Sequence, residues 1–318
     1  MRFGKLIGVA LAVSAAMASF AEDGGFRAAL ADPLAWLYAD SKVEGVERLD
    51  EIDVPVNGVI DVNVLLNGLK PGVPLAFSAS IVNGEWYRMR AVPVKRNTGV
   101  RGFLEKNPGD NPHVARRAPF EVFDVLEPLS STVISSSTVI SAPAETEALR
   151  FRLDGAPSGP SRFTIRIRVE QGGTVRELPL KVVVHPVALP RVGKDSFKYT
   201  NWMSLGNMAG SHGLKPWSEE HWKMIEKYVR LAARGRQNVG LMREVFIHRA
   251  DGTLMLDKDR FSRLLDIYSR AGLWYVEGPH LAGFVNGWGS PAFRTSYTTN
   301  VTTTVPARWP FRRWRGRS

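Results

Sequence analysis

The chain has 318 residues, of which 44% are hydrophobic and 23% are charged, and this composition is typical of a folded protein of one to three domains. The absence of cysteine excludes a disulfide framework, a thiolate metal site and a cysteine nucleophile. The formal net charge is +11, but residues 1–21 and 294–318 supply +8 of it. Residues 22–293 therefore carry a net charge of only +3, which does not indicate nucleic-acid binding.

The first 21 residues are typical of a cleaved export signal. A positively charged start precedes an apolar run from Leu6 to Met17, and the small residues Ser19 and Ala21 fit a cleavage site. A membrane anchor is the alternative, but the run is shorter than the ~20 apolar residues that a spanning helix needs. We therefore expect an exported protein, periplasmic or extracellular, without membrane attachment after cleavage.

Residues 22–190 are predicted to form a β-sandwich domain. Apolar and polar residues alternate on both sides of Lys70-Pro71-Gly72 and again on both sides of Gln171-Gly172-Gly173, which predicts two hairpins. Strands with one apolar face bury it against a second sheet, so a sandwich is favoured. The apolar positions of these four strands are Ile60, Val62, Val64 and Leu66; Leu75, Phe77 and Ala79; Phe163, Ile165, Ile167 and Val169; and Leu178, Leu180, Val182 and Val184.

After Pro190 the pattern changes to alternating strands and helices. One helix is predicted between a Ser218 cap and Gly235, and another between an Asp257 cap and Gly272. This alternation favours a parallel sheet, because consecutive parallel strands are joined by crossover connections that usually contain a helix. The same alternation is expected for an open sheet and for a closed barrel. The predicted strands are Phe197 to Met203, Val239 to Met242 and Leu273 to Val276, and the predicted buried stripes are Trp222, Ile225, Val229 and Ala232, then Phe261, Leu264, Leu265 and Tyr268.

Several short motifs follow the predicted sandwich in a fixed order. They are Tyr199-Thr200-Asn201-Trp202, then Trp217-Ser218-Glu219-Glu220-His221-Trp222 opening a helix, then an Asp251-Gly252 turn, and finally Glu277-Gly278. Together with the preceding strand and Leu189-Pro190 step, they resemble glycoside hydrolase family 123 and its uncharacterised relatives.

This resemblance implies an amino-terminal β-sandwich and a (β/α)₈ barrel that acts on terminal N-acetylgalactosamine of glycoconjugates. In that family an adjacent Asp-Glu pair works with the sugar's own 2-acetamido group, which attacks the anomeric carbon. The Asp positions the acetamido group and the Glu protonates the leaving oxygen, with no metal or organic cofactor. Residues 191–318 contain no adjacent Asp and Glu, so the catalytic residues are unknown and are expected beyond the chain end.

The chain is short for such an architecture. A (β/α)₈ barrel needs about 250 residues, whereas 122 residues run from Phe197 to Ser318 and fit about three β/α units. The end of the sequence lacks Lys, Asp and Glu and is typical of an out-of-frame or disordered basic tail; the alternative is a real tail that binds nucleic acid or an anionic surface. The predicted class is multidomain β plus α/β, with a signal peptide at 1–21, a β-sandwich at 22–190, the start of an incomplete TIM-type barrel at 191–293 and a basic tail at 294–318.

Six residues are candidates for sugar contacts, because barrel sites are built at the carboxyl ends of the strands. Aromatic and carboxylate side chains suit the apolar faces and the hydroxyls of a sugar. Trp202 has an alternative interpretation as a core residue, and Arg243 with Glu244 as a surface pair. The histidines show no metal-ligand spacing. The candidates are Asn201 and Trp202 after the first strand, Arg243 and Glu244 after the second, and Glu277 and His280 after the third.

The main hypothesis is a fragment of an exported glycoside hydrolase that is inactive as this chain. The alternative is a non-catalytic carbohydrate-binding or interaction module in which the β-sandwich does the binding. Both imply a carbohydrate or glycoconjugate partner, no cofactor and no nucleic acid. A third hypothesis is a binder that works through the basic tail.

Overall fold

In the computed structural model the chain divides into two compact units, Met1–Leu189 and Pro190–Ser318. The predicted export signal and residues 296–318 of the predicted tail lie outside the described residues. The structure describes residues 25–100, 103–129, 138–242, 245–248, 254–278, 282–284 and 293–295.

As far as the structure describes it, the first unit is a sandwich of two five-stranded sheets, with the orders β1-β3-β8-β5-β6 and β2-β10-β9-β4-β7. Neighbouring strands pair antiparallel, except that β2 and β10 are parallel. The strands are β1 (Arg27–Ala31), β2 (Glu51–Val56), β3 (Val59–Asn67), β4 (Pro74–Ala79), β5 (Glu85–Val94), β6 (Phe120–Pro128), β7 (Thr138–Ser141), β8 (Thr146–Asp154), β9 (Ser161–Gln171) and β10 (Thr174–Ala188).

One of the two predicted hairpins is confirmed. Strands β9 and β10 pair antiparallel from Gln171 opposite Thr174 onward. Gly172 and Gly173 have φ angles of 57° and 82°, which is the left-handed backbone that a two-residue hairpin turn requires.

The other predicted hairpin is wrong, because β3 and β4 lie in different sheets. The segment between them carries the chain across the sandwich, and Leu69 is buried there. The Gln171 side chain holds the crossing by accepting the Lys70 N–H at 2.8 Å and donating to the Lys70 carbonyl at 3.2 Å.

The core of the first unit lies between its two sheets. The Trp86 ring packs against Phe77 and Phe151, with ring centroids 4.8 Å and 5.1 Å apart. Gly84 leaves room for this packing, because a Cβ atom there would lie 2.2 Å from the Phe151 ring. The inward-facing apolar residues predicted for β3, β9 and β10 belong to the same core, so the alternation in the sequence located it.

In its described residues, the second unit combines three helices with short strands. Ser218 and Asp257 cap the two long helices as predicted, and Gly272 ends the second one with a φ of 90°. The helices are α1 (Leu205–Ser211), α2 (Glu219–Arg234) and α3 (Lys258–Ala271), and the strands are β11 (Val239–Leu241), β12 (Phe246–His248), β13 (Leu254–Leu256), β14 (Tyr275–Glu277), β15 (Ala282–Phe284) and β16 (Phe293–Thr295).

Strands β11 and β14 form a parallel pair, while β12 with β13 and β15 with β16 are antiparallel. The part of this unit that the structure describes contains no closed barrel, so the TIM-type barrel fragment stays a prediction. Among the described residues, no helix has the length and apolar character that crossing a membrane would require.

Two local predictions for this unit are wrong. Residues 197–203, all of which the structure describes, form an irregular segment rather than a strand, and Phe197 is 88% exposed. Leu265 is 39% exposed, because Leu264 and Tyr268 with Ile267 occupy the buried face of α3. Helix α1 was not predicted.

A buried ion pair joins β5 and β8 in the first unit. The Arg88 Nε and Nη2 atoms each lie 3.1 Å from one carboxylate oxygen of Glu147, and their side chains are only 13% and 5% exposed. Burial raises the pKa of the Glu147 carboxyl, and the positive charge of Arg88 only partly offsets that rise. A raised pKa in the folded state means that this group contributes stability below its unfolded pKa and loses that contribution as the pH rises through the folded pKa.

We expect Arg88→Met to lower the free energy of unfolding by about 3–5 kcal/mol near neutral pH, because an unpaired carboxylate is left buried. The cost should be smaller near pH ~4, where the Glu147 carboxyl is protonated. Urea unfolding of the first unit across this pH range measures both values.

Arg90→Met is the matched control, because the Arg90–Glu127 pair is 55% and 42% exposed. Its cost should not exceed about 1 kcal/mol. An equal cost of Arg88→Met at both pH values would contradict the assignment of the effect to the Glu147 charge.

Candidate functional site

Asn238, immediately before β11, fixes the irregular segment that leads to two of the candidate residues. Its side chain is fully buried, and its Oδ1 accepts the Tyr199 N–H at 2.9 Å. Its Nδ2 donates to three oxygens of Gly193 and Ser196 at 2.9 to 3.2 Å. The backbone N–H groups of Asn238 and Val239 both donate to the Tyr199 carbonyl, at 3.1 Å and 3.2 Å. The segment therefore lies beside β11 without forming a regular ladder.

Trp202 and Glu277 meet at the carboxyl end of this small sheet. Glu277 is the last residue of β14, in register with Leu241 at the end of β11. Its backbone carbonyl accepts the Met242 N–H at 2.9 Å. The Trp202 Nε1 donates to both Glu277 carboxylate oxygens, each at 3.1 Å. Trp202 is 58% exposed, so an indole face and a carboxylate are presented together and its alternative interpretation as a core residue is wrong.

Asn201 is oriented by Tyr199 rather than by Glu277. The Asn201 Nδ2 donates to the Tyr199 hydroxyl at 2.6 Å, and both residues are exposed. The Asn201 carbonyl accepts from the Gln237 Nε2 at 3.3 Å. These two contacts fix the backbone and the side chain of the residue that precedes Trp202.

Two buried acceptors near this segment were missed from the sequence. The Gln237 Oε1 and the Thr200 Oγ1 have no hydrogen-bond partner among the residues that the structure describes. Gln237 is 1% exposed, and its Nε2 also donates to the Val239 carbonyl at 2.7 Å. A buried polar atom without a partner is costly. The one signal in the sequence is a polar pair, Gln237 and Asn238, directly before an apolar run.

The other candidate residues cannot be placed in this arrangement. Arg243, Glu244 and His280 lie outside the described residues. His212, at the end of α1, has its Nε2 2.9 Å from the Tyr228 hydroxyl. In the described residues, no group of three or more His, Cys, Asp or Glu side chains could hold a metal ion.

Comparison with protein-family models gives no match, and comparison with curated proteins gives no significant match. Among solved structures, the chain is similar to a family 123 glycoside hydrolase from Clostridium perfringens that was analysed for glycolipid glycan hydrolysis. The identity is 11% and the TM-score 0.59, over 80% of this chain and 48% of the hydrolase.

The chain therefore spans about half the length of that hydrolase. A match to the VesB protease of Vibrio cholerae has 6% identity over 43% of this chain and 29% of the protease, and its TM-score of 0.18 carries no argument. The likeness to the family 123 enzyme concerns the fold alone.

We expect Asn238→Ala to release the segment that positions Trp202. It leaves several buried groups unpaired and should lower the free energy of unfolding of the second unit by about 2 kcal/mol or more. Amide hydrogen exchange at Tyr199, whose N–H loses its acceptor, should accelerate at least about tenfold.

Asn207→Ala on the exposed side of α1 serves as the control. It should change the free energy of unfolding by no more than about 0.5 kcal/mol. Unaltered exchange at Tyr199 in Asn238→Ala would show that other contacts hold the segment.

Proposed function

We propose that this chain is part of a glycoside hydrolase that resembles the β-N-acetylgalactosaminidases, and that it binds a 2-acetamido sugar at Trp202 and Glu277. The observation that carries the proposal is the contact between the Trp202 indole and both Glu277 oxygens at a strand end. The fold shared with a hydrolase of glycolipid glycans supports it. The motifs that resemble family 123 supply two of the residues involved.

The chemistry of the pair suits a sugar ring. An exposed indole offers a flat apolar face against which the C–H groups of a pyranose pack. The indole N–H, placed between the two carboxylate oxygens, fixes the plane of the Glu277 carboxylate. Each oxygen keeps lone pairs that accept sugar hydroxyls. Stacking and hydroxyl recognition would thus come from two adjacent side chains.

A site that binds the sugar at Trp202 and Glu277 does not by itself hydrolyse it. Substrate-assisted cleavage needs one carboxylate to hold the acetamido group and a second group to protonate the leaving oxygen. Residues 191–318 contain no adjacent Asp and Glu, and Glu277 alone cannot serve both purposes. We therefore propose a chain that binds the sugar without cleaving it, and that meets its glycoconjugate outside the cytoplasm after export.

Trp202→Ala should weaken binding of N-acetylgalactosamine about tenfold, because the stacking face is lost. Titration calorimetry on the full chain measures this change. Glu277→Gln should weaken binding by a smaller factor, since the amide keeps one acceptor oxygen and remains in contact range of the indole.

Trp274→Ala is the matched control, because Trp274 is 62% exposed and directly precedes β14. Its affinity should equal that of the parent. Sugar binding that survives Trp202→Ala unchanged would contradict the proposed site and favour binding by the β-sandwich.

Release of the aryl group from an aryl N-acetylgalactosaminide should not exceed the rate in buffer alone, because the paired acid is missing. A chromogenic assay at high protein concentration tests this expectation. Turnover at enzymatic speed would show that this chain contains a complete catalytic site.

A further inference from the structure

Three Asn-Gly pairs lie among the described residues, at 57–58, 67–68 and 83–84, and a fourth at 286–287 lies outside them. Asparagine before glycine is especially prone to deamidation, because glycine has no side chain to hinder the attack of its backbone nitrogen on the asparagine amide. The residues before the three described pairs are Val56, Leu66 and Val82, which are all apolar. Because the local sequences differ so little, the folded surroundings of each pair decide which of them reacts.

The Asn67 side chain is buried and fully bonded. It belongs to a residue that is 2% exposed, and its Oδ1 accepts the Val43 N–H at 2.7 Å. Its Nδ2 donates to the Ser41 carbonyl at 3.0 Å and to the Thr146 hydroxyl at 3.1 Å. Cyclisation of the pair at 67–68 would break these bonds, so this pair reacts only after the structure has opened locally.

The pair at 57–58 is exposed but held by two hydrogen bonds. The Gly58 N–H, which contains the attacking nitrogen, donates to the Pro55 carbonyl at 2.9 Å. The Asn57 Nδ2 donates to the Leu189 carbonyl at 3.3 Å. Both groups that would have to react are therefore engaged in the folded chain, although the asparagine itself faces solvent.

The pair at 83–84 has the same backbone at its asparagine without these bonds. Asn83 is exposed and has a φ of 63°, against 62° at Asn57, in the left-handed region that asparagine tolerates. In the part of the chain that the structure describes, neither the Asn83 side chain nor the Gly84 N–H makes a hydrogen bond. The amide and the nitrogen that attacks it are thus available to each other.

We propose that Asn83 is a site of spontaneous deamidation in the folded chain. The Gly84 nitrogen loses its proton and attacks the Asn83 Cγ. A C–N bond forms, the Cγ–Nδ2 bond breaks, and the nitrogen of the side chain leaves as ammonia with that proton. Water then opens the cyclic imide at either carbonyl, which gives aspartate or isoaspartate at position 83. This inference goes beyond sugar binding and does not depend on it.

The isoaspartate product would disturb the connection between the two sheets of the sandwich. Position 83 lies between β4 in one sheet and β5 in the other. Isoaspartate adds one carbon atom to the main chain directly before Gly84, where space is short, because a Cβ atom on Gly84 would lie 2.2 Å from the Phe151 ring. A close-packed core accepts additional atoms only with a loss of stability. The isoaspartyl form should therefore unfold faster, whereas the aspartyl form keeps the ordinary main chain.

Ageing the full chain at physiological temperature and mildly alkaline pH tests the assignment, with tandem mass spectrometry to locate each conversion of amide to acid. We expect Asn83 to convert at least about tenfold faster than Asn67, whose reaction has to wait for local opening. Asn83 should also convert faster than Asn57. In concentrated urea, where the chain is unfolded, the three pairs should convert at similar rates.

Two variants separate the modification from its effect on stability. In the aged parent, we expect a fraction that unfolds in urea several times faster than the rest. This fraction should be absent from aged Asn83→Gln, because glutamine cyclises far more slowly than asparagine. Fresh Asn83→Asp has the charge of the product on an ordinary main chain and should unfold like the fresh parent.

Conversion at position 57 or 67 as fast as at position 83 in the folded chain would overturn the assignment, and so would an Asn83 that stays unmodified. The proposed effect on the sandwich would be overturned by an aged parent that contains isoaspartate at position 83 and has no rapidly unfolding fraction.

Discussion

The position of the candidate site depends on one buried amide. Backbone N–H and C=O groups that leave water must find partners, and the segment before Trp202 has no regular strand ladder to supply them. The Asn238 side chain supplies them instead, accepting from Tyr199 and donating to Gly193 and Ser196. Because a side-chain amide carries one acceptor and two donors, it can replace several ladder bonds at once. The neighbouring indole and carboxylate are brought together as a consequence.

The parts of the fold that depend on a local sequence pattern were predictable. Alternation located four strands of the sandwich, β3, β4, β9 and β10. The two glycines at 172 and 173 predicted the β9–β10 turn, since few other residues accept that backbone. The sheet to which each strand belongs was not predictable, because β3 and β4 have the same alternation whether they pair or separate. Helix α1 was missed because its seven residues include two glycines, an asparagine and a serine, which are weak helix formers.

The candidate site was predictable only in part. The rule that functional residues follow strand ends selected Trp202 and Glu277, and the structure places them in contact. The same rule could not predict that the Asn201 side chain hydrogen-bonds to the Tyr199 hydroxyl, because the direction of a side chain depends on the three-dimensional structure around it. Gln237 and Asn238 precede β11, whereas the rule selects only residues that follow a strand. Their buried side-chain amides nevertheless fix the segment before Trp202. Residues that only support a site are recognised by their burial, and the burial of a polar residue is hard to predict from a single sequence.

The parallel pairing of β2 with β10 has a consequence for how the protein is made. Among the residues that the structure describes, β10 is the only neighbour of β2 in its sheet, and the paired residues Glu51 and Lys181 are 130 positions apart. A ribosome that adds about 5–20 residues per second takes roughly 6–26 seconds to cover that distance. During this interval the edge of β2 is a template for other chains. The order of translation thus sets a period in which the unpaired edge of β2 leaves the nascent sandwich open to misassembly.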